Sequence, residues 1–385
     1  MKQGWEYKRL GEVCKITMGQ SPNGNSINNN NEGIEFHQGK TCFGERTLGI
    51  STLFSSEPTK LAEAHSVLLC VRAPVGFPNI TDRQICIGRG LCALYAKEGI
   101  NNTFLFYSLL GKQSYFEKNA TGSTFKAISS KVVSDTIIPL PPKSTQLAIV
   151  SELDKINELI RLKKEQLKDY DNLAQSLFYQ MFGDPVENEM GWEVKLLNTL
   201  CTKIGSGATP KGGNEAYKQK GITLIRSLNV HNNEFKYKDL AYIDEEQAAA
   251  LNNVTIQEQD VLLNITGASV ARCCIVPSAV LPARVNQHVC ILRHNNLLNA
   301  IYLNCMLTTD SYQQHLQRLA RSKAATREAL PKSIVDNLPI PLPPLPLQQL
   351  FAQRIEQIER QKAEAQKAIA DLETLLASRM QYWFE

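Results

Sequence analysis

The amino-acid sequence predicts an α+β protein: two tandem α+β domains separated by two long helices, which pack as an antiparallel coiled coil with pseudo-two-fold symmetry. Three observations in the 385 residues predict this fold class. A set of short motifs occurs twice in the same order, an apolar 4-3 spacing follows each set, and basic segments alternate with acidic ones. A period near 200 residues indicates a domain duplication, because solenoid repeats are several times shorter.

The repeated motifs begin with Gly4-Trp5-Glu6, which returns as Gly191-Trp192-Glu193. The separation grows from 187 residues at this pair to 202 at the last, so the second copy carries small insertions. The other matched segments are Cys14 with Cys201, Met18–Pro22 with Gly205–Pro210, Val67–Leu69 with Val261–Leu263, Gly88–Cys92 with Asn286–Cys290, and Pro139–Pro142 with Pro341–Pro344.

A coiled-coil seam follows each Pro-Leu-Pro-Pro segment, where the apolar residues take up a 4-3 spacing. Only lysine or arginine interrupts it, once in the first copy and twice in the second. The first seam is Ile149, Leu153, Ile156, Ile160, Lys163, Leu167, Tyr170, Ala174, Leu177 and Met181. The second, 202 residues later, is Phe351, Ile355, Ile358, Lys362, Ala365, Ile369, Leu372, Leu376, Arg379 and Trp383.

These patterns define four segments: a first domain over 1–143, a helix over 144–183, a second domain over 184–345 and a helix over 346–385. We expect the seams to pack on each other, because they match in length and register. An antiparallel pair is expected, because the chain crosses a whole domain between them. The alternative is that each helix packs onto its own domain.

Inside each domain the sequence predicts short strands and one clear helix, with irregular loops rich in Gly and Asn. The predicted strands are Ser66–Arg72, Ile85–Tyr95, Asp260–Thr266 and Val285–Leu292, and the predicted helices are Thr103–Glu117 and Leu298–Leu319.

Charge separates the two kinds of segment. Residues 1–143 carry a net charge of +5 and residues 191–347 carry +4, whereas residues 144–190 carry −4 and residues 348–385 carry −1. Lys and Arg supply affinity for a phosphate backbone. The alternation therefore indicates nucleic-acid binding by the domains and a different task for the helices.

Candidate DNA-contacting residues lie among the basic side chains near the loops and the amides between them. Arg suits guanine, and Asn or Gln suits adenine, in the major groove of DNA. The candidates are Gln20, Lys40, Arg46, Arg72, Arg89, Lys126, Lys203, Lys211, Arg226, Asn229, Arg272, Gln287, His288 and Arg321.

Several function classes lack their motifs. The sequence holds no G-x-x-x-x-G-K-[ST] phosphate loop, no H-E-x-x-H, no G-x-S-x-G and no C-x-x-C. We therefore expect no catalytic centre, no metal site and no cofactor. No stretch reaches the roughly 18 apolar residues of a membrane span. The ten cysteines form no tight framework, so we expect a cytoplasmic protein.

The whole pattern resembles the specificity subunit of type I restriction-modification systems. The Gly-Trp-Glu openings, the Gly-rich Ser/Thr-Pro turns, the Gly88–Leu91 and Asn286–Val289 segments, the Pro-Leu-Pro-Pro breakers and Gln180–Pro185 carry the resemblance. It covers essentially the whole chain. The first copy departs from the glycine-richer turn of the second, so the two turns need not serve identically.

The resemblance implies a function without catalysis. Each domain would read one half of a bipartite site in double-stranded DNA. The helices would set the spacing and dock two DNA adenine methyltransferase subunits, and two ATP-dependent motor-nuclease subunits would complete the assembly. S-adenosylmethionine, ATP and magnesium would belong to those partners. Residues for the helix and partner interface are Ile149, Leu153, Ile156, Ile160, Leu167, Phe351, Ile355, Ile358, Ile369 and Leu372.

The two copies differ strongly between their shared motifs, so we expect unlike half-sites and a non-palindromic target.

Other functions stay open at this point. The chain could instead be a stand-alone restriction endonuclease with an unrecognised catalytic centre, or serve a complex that only methylates. A coiled-coil scaffold whose basic domains bind protein is a further alternative.

Overall fold

A computed structural model describes residues 2, 4–122, 126–210, 212–322 and 328–384, without the side chain of Asn214. The chain divides into two compact units. The first unit comprises residues 1–164 and 367–385, and the second comprises residues 165–366. Each unit therefore contains one domain and parts of both long helices.

The first unit is built on short strands and short helices. Its strands are β1 (Glu6–Arg9), β2 (Cys14–Met18), β3 (Ile27–Asn28), β4 (Ile34–His37), β5 (Phe54–Ser55), β6 (Leu61–Ala62), β7 (Val67–Cys70), β8 (Pro78–Ile80), β9 (Ile85–Ile87), β10 (Leu91–Ala96) and β11 (Ile137–Leu140). Its helices are α1 (Leu10–Val13), α2 (Asn102–Leu110), α3 (Gln113–Lys118) and α4 (Ser130–Asp135), followed by the start of α5 (Lys143–Phe182).

The second unit repeats this order of elements with one additional short helix, Glu245–Ala249. Its strands are β12 (Val194–Leu196), β13 (Cys201–Ser206), β14 (Ile222–Ile225), β15 (Val230–His231), β16 (Glu234–Phe235), β17 (Ala241–Ile243), β18 (Val261–Asn264), β19 (Cys273–Ile275), β20 (Ala283–Val285), β21 (Val289–His294) and β22 (Pro339–Pro341). Its helices are α6 (Leu197–Leu200), α7 (Glu245–Ala249), α8 (Ala300–Leu307), α9 (Asp310–Ser322) and α10 (Lys332–Asp336), before α11 (Leu345–Phe384) begins.

The two units share the topology of their main sheet and of their terminal strand pair, which confirms the duplication and the α+β class. The main sheet has the strand order β2-β10-β7-β8 in the first unit and β13-β21-β18-β19 in the second. The first and last strands pair as β1-β11 and β12-β22, both antiparallel. A parallel pair lies beside each main sheet, β4-β9 in the first unit and β14-β20 in the second.

The two long helices, α5 and α11, have 40 residues each, so each extends about 60 Å at 1.5 Å per residue. In the first unit they run antiparallel. Arg379 is paired with Glu152, and further along α5 Lys164 is paired with Glu373, which lies earlier on α11. The antiparallel prediction is confirmed within this unit.

The same direction holds in the second unit. Lys362 contacts Asp171 at 2.8 Å, and the rings of Phe351 and Phe178 lie 5.6 Å apart, edge to face. The positively charged breaks in the second seam also have partners. Burial alone would lower the pKa of Lys362, but its bonds to Asp171 and Glu359 raise it. Lys362 is therefore held as a cation on the seam.

The predicted seam residues lie on the inner face of the helix pair. Leu167 and Leu372 are half-buried. The remaining predicted interface residues are buried: Ile149, Leu153, Ile156, Ile160, Phe351, Ile355, Ile358 and Ile369.

The ends of the helices also enter the domain cores. In the first unit Ile149 and Leu153 share an apolar cluster with Phe104 and with Phe384 at the end of α11. In the second unit Phe178 and Phe351 share one with Tyr302. Helix pairing and packing on a domain therefore occur together, so the two packing alternatives drawn from the sequence are not exclusive.

The two predicted domain helices are wrong in their continuity. Thr103–Glu117 is divided into α2 and α3 at Gly111, where an added Cβ would lie 2.9 Å from the Cβ of Phe384. Leu298–Leu319 is divided into α8 and α9, and α8 begins after Asn299, whose side chain accepts from the N–H of Ile301 at 2.9 Å. Apolar residues continue across each break, because Phe116 of α3 shares a core cluster with Phe104 of α2 and Leu316 of α9 shares one with Leu303 of α8. The apolar pattern therefore does not mark where the helices divide.

Candidate nucleic-acid interface

Five loop segments of the first unit meet at one end of its main sheet. The N–H of Gly88 donates to the carbonyl of His37 at 2.7 Å, and the N–H of Val71 donates to the carbonyl of Gly90 at 2.9 Å. The N–H of Ala73 donates to the carbonyl of Lys126 at 3.0 Å. We call this surface the first loop edge, made of residues 19–20, 38–40, 72, 88–90 and 126.

Glycine is required where these loops cross. A Cβ on Gly19 would lie 2.1 Å from the carbonyl oxygen of Gly88, and a Cβ on Gly90 would lie 2.2 Å from that of Gln38. Both contacts are with backbone, which cannot move aside cheaply. The glycines of the repeated motifs thus bring neighbouring loops together and leave Gln20 and Arg89 exposed between them.

The second unit builds the same frame. The N–H of Asn286 donates to the carbonyl of Ile225 at 3.1 Å, that of Ile265 donates to His288 at 2.9 Å, and that of Gly267 donates to Glu328 at 2.9 Å. A Cβ on Gly207 would lie 1.7 Å from the carbonyl oxygen of Val285. The second loop edge is made of residues 207–209, 226, 266, 286–288 and 328.

Matching these backbone bonds aligns the two loop edges residue by residue. The frame is shared, yet the side chains on it differ in charge and in hydrogen-bonding type. The equivalent pairs are Gln38 with Arg226, Arg72 with Thr266, Arg89 with Gln287, and Lys126 with Glu328.

Most first-copy candidates lie on the first loop edge, where they are exposed: Gln20, Lys40, Arg72, Arg89 and Lys126. The ammonium of Lys40 lies 4.3 Å from the ring centre of Phe77. Arg46 lies outside the first loop edge. Its guanidinium is paired with Asp154 on α5, which also accepts from the hydroxyl of Tyr107 at 2.7 Å.

Three second-copy candidates, Arg226, Gln287 and His288, lie on the second loop edge. The guanidinium of Arg226 donates to the carbonyl of Asp239 and lies 5.3 Å from the ring of Tyr217. Arg272 is half-buried, and its carbonyl accepts from the N–H of Asn264 at 2.8 Å.

The other second-copy candidates have local partners or fall outside the description. Arg321 pairs with Glu328 at 2.9 Å beside the loop edge. The ammonium of Lys203 donates to the carbonyl of Asn253. Lys211 lies outside the described residues.

Asn229 has an internal role. Its side chain is fully buried, its amide nitrogen donates to the carbonyls of Lys236 and Lys238, and its oxygen accepts from the N–H of Arg226. These bonds occupy the side chain of Asn229 and hold the loop that carries Arg226. We therefore expect no base contact from Asn229.

Sequence reasoning missed Thr266 and Glu328 on the second loop edge. Thr266 follows the strand that matches Val67–Leu69, and Glu328 lies 202 residues after Lys126. Extending the repeat alignment beyond the shared motifs would have found both residues. A search for basic or amide side chains passes over them.

A partly buried ion pair lies next to the first loop edge. Both oxygens of Glu35 accept from the guanidinium of Arg83, at 2.6 and 2.7 Å, and Oε1 lies 2.8 Å from Nε2 of buried His37. Burial would raise the pKa of Glu35, but hydrogen bonds from Arg83, from the N–H of Ser51 and from His37 lower it to about 2. Burial lowers the pKa of His37. The strand that leads into residues 38–40 is thereby held by a charged, hydrogen-bonded cluster.

The described part of the chain offers neither a cluster of metal ligands nor a membrane-spanning helix. Among those residues, no group of three or more His, Cys, Asp or Glu side chains could hold a metal ion. No described helix is both long enough and apolar enough to cross a membrane.

The duplicated frame and the long helices define a class of protein built from two copies of one α+β domain, each followed by a long helix. The family described as "Type I restriction modification DNA specificity domain" matches residues 2–169 and 189–374. The chain belongs to this family, which confirms the resemblance found in the sequence.

Two curated relatives and one solved structure illustrate the similarity. The putative type I restriction enzyme MjaX specificity subunit of Methanocaldococcus jannaschii is 37% identical over 178 residues, which are 46% of this chain and 42% of that protein. The type I restriction enzyme MjaIX specificity subunit of the same organism is 23% identical, over 96% of this chain and 90% of that protein. The crystal structure of the type I restriction-modification system S subunit from M. genitalium matches with a TM-score of 0.57 and 14% identity, over 100% of this chain and 98% of that chain.

The chain thus spans about two fifths of the first of these relatives and nine tenths of the second. The structural match at 14% identity supports the fold.

Proposed function

We propose that this chain is the DNA sequence-recognition subunit of a type I restriction-modification complex and has no catalytic centre of its own. Domains 1–143 and 184–345 each read one half of a bipartite, non-palindromic site in double-stranded DNA. The single observation that carries the proposal is the loop edge. One backbone frame occurs in both units, and it presents different exposed side chains in each.

This combination suits the reading of two unlike sequences. A shared frame brings a loop edge of common geometry to the DNA, whereas base identity is read by the side chains placed on it. Identical side chains would favour a palindrome, and the equivalent pairs differ, as in Arg89 against Gln287. The basic balance of both domains supplies phosphate affinity.

The helices, predicted over 144–183 and 346–385, serve as the spacer and docking surface in this proposal. Within each unit their pairing is specified by apolar seam residues and by ion pairs such as that of Glu152 with Arg379. A stiff support suits two readers that must engage half-sites at a set separation. Family membership supports docking of methyltransferase subunits. We propose two of these, with two ATP-dependent motor-nuclease subunits, in the cytoplasm.

Selection from a randomised DNA duplex library by the purified full-length chain at low salt tests this function. The expected result is an enriched site with two unlike specific halves and a constant gap. Enrichment of no sequence, with equal retention of all duplexes, would contradict the proposal. Enrichment of a perfect palindrome would contradict the assignment of unlike halves.

Two other functions are distinguished by simple assays. A stand-alone restriction endonuclease would cut duplex DNA with magnesium and no partner, whereas the proposed subunit leaves it intact. A methylation-only complex would yield the chain with methyltransferase subunits but without a motor subunit when isolated from its host.

A further inference from the structure

A row of hydrogen-bonded polar side chains crosses the second loop edge. The hydroxyl of Thr209 donates to Oε1 of Gln287, Nε2 of Gln287 lies 3.2 Å from Nε2 of His288, and Nδ1 of His288 lies 2.6 Å from the hydroxyl of Thr266. These residues belong to three different loops. Gln287 is exposed, at the tip of the turn between β20 and β21.

Contacts at its two ends hold the Gln287 amide in place. Oε1 accepts from Thr209, so the other end of the amide is the nitrogen, which can only donate. In this orientation Nε2 of His288 is the acceptor. Its Nδ1 therefore carries the proton and donates to Thr266. The reverse arrangement, with the amide turned over and the other tautomer of His288, satisfies the same three contacts, because both threonine hydroxyls can donate or accept. In either arrangement the Gln287 amide is held at both ends.

Gln287 keeps one donor and one acceptor after these bonds. An amide NH₂ has two hydrogens, and an amide oxygen accepts two bonds. One of each is used within the loop edge. The remaining donor and acceptor match the edge of adenine in the major groove. There N7 of adenine accepts a hydrogen bond and the N6 amino group donates one.

The first loop edge presents a different chemistry at the equivalent positions. Arg89 stands where Gln287 stands, and Arg72 stands where Thr266 stands. A guanidinium donates only and suits the two acceptors of guanine. The neutral amide held at both ends is therefore specific to the second unit.

We propose that Gln287 reads an adenine in the half-site of the second unit, and that Thr209 and His288 are positioning residues for its amide. Thr266 holds the His288 ring in place through Nδ1. This inference rests on the proposed function. An amide held in place loses less conformational freedom on binding than a mobile one.

The test is selection from a randomised duplex library by full-length variants and the unaltered chain. In Gln287→Glu the donor is lost and both oxygens accept. We expect the preference for adenine at one position of one half-site to fall by between about 5-fold and 150-fold, the worth of a bidentate base contact. Cytosine, whose N4 amino group donates, should gain at that position. The other half-site and the gap should stay unchanged.

Thr209→Val tests the positioning role. It removes the hydroxyl that donates to Oε1 and keeps the side-chain shape, so one end of the amide is no longer held. We expect a smaller loss of adenine preference at the same position only. A purely structural role of Thr209 would instead lower the thermal unfolding midpoint and weaken binding at all positions together.

Gln257→Glu is the matched control. Gln257 is exposed and precedes β18, whose far end at Asn264 reaches the loop edge. The same chemical change there should leave the selected site unaltered. Thermal unfolding of every variant verifies the fold.

Three outcomes would overturn the inference. If Gln287→Glu selects the same bases as the unaltered chain at every position, Gln287 reads no base. If the position that changes held a base other than adenine, the adenine assignment is wrong. If the unaltered chain selects no site at all, the proposed function itself fails, and this result is distinct from the first two.

Discussion

The buried amide of Gln146 accepts from the backbone N–H of Asn101 at 3.0 Å and so ties α5 to the start of α2. Its nitrogen donates to the carbonyls of Pro141 and Gly99. In the second unit Gln348 makes the same set of bonds, with Asn299 at 2.9 Å and with the carbonyls of Pro343 and Leu297. One glutamine in each long helix thus joins it to a domain.

Replacement of Gln146 by Ala should destabilise the first unit. The change leaves three backbone groups without their partner, and an unsatisfied buried polar group costs roughly 1–3 kcal/mol. Urea unfolding followed by circular dichroism measures the loss. Gln349→Ala, at an exposed position of α11, is the control and should change the midpoint little. Equal stability of the two variants would mean that the tie contributes nothing.

A charge in the seam should disturb the helix pair. Ile156 is buried, so Ile156→Asp places a carboxylate among apolar side chains and should lower the free energy of unfolding by about 3 kcal/mol or more. We expect altered half-site spacing and weaker partner docking, with the domains still folded. Leu159→Asp, one turn away and 47% exposed, should cost far less stability. Normal spacing and docking with Ile156→Asp would refute the spacer role of the helices.

Acid should weaken the first unit through Glu35. Its pKa lies near 2 in the folded chain against an ordinary value of 4.5. Its stabilising contribution is therefore complete above about pH 4.5 and is lost as the pH falls toward 2. Between pH 5 and pH 3 the loss should reach about 2 kcal/mol. Glu35→Gln should be less stable at neutral pH, but its stability should change less between pH 5 and pH 3. Urea unfolding midpoints at each pH measure this change. In the control Glu98→Gln, at an exposed position, the free energy of unfolding should depend on pH as it does in the unaltered chain. If Glu35→Gln showed that same pH dependence, Glu35 would not be its source.

Opposite charges at one frame position give a paired prediction. Lys126 and Glu328 occupy equivalent sites on the two loop edges. If both edges face DNA, Lys126→Gln should weaken non-specific duplex binding a few-fold at low salt, and Glu328→Gln should strengthen it by releasing Arg321. Both effects should shrink as salt rises. Filter binding at several salt concentrations measures them, and changes of the same sign in the two variants would contradict a shared orientation toward the phosphates.

The fold was largely predictable because its determinants are periodic or repeated. The motif order gave the duplication, and the 4-3 spacing predicted both long helices. Strand runs were less well resolved. Ile85–Tyr95 reads as one strand but forms β9 and β10, with the turn of the Gly88–Gly90 loop between them. A short turn inside an apolar run leaves little trace in its periodicity.

The candidate site was only partly predictable, for a different reason. Exposed basic residues such as Arg89 follow from composition near glycine-rich turns. The partner of a side chain does not, because it depends on tertiary contacts. Arg46 pairs with Asp154, and the side chain of Asn229 is hydrogen-bonded to the backbone of its own loop. Thr266 gains its importance from His288, which lies on another loop.

The most direct measurement compares the unaltered chain with Arg89→Ala on matched DNA duplexes, each carrying one base change in one half of the selected site. The account predicts that Arg89→Ala loses discrimination in one half only, while base changes in the other half cost it as much binding as they cost the unaltered chain. Equal loss of discrimination in both halves would contradict the assignment of one loop edge to each half-site.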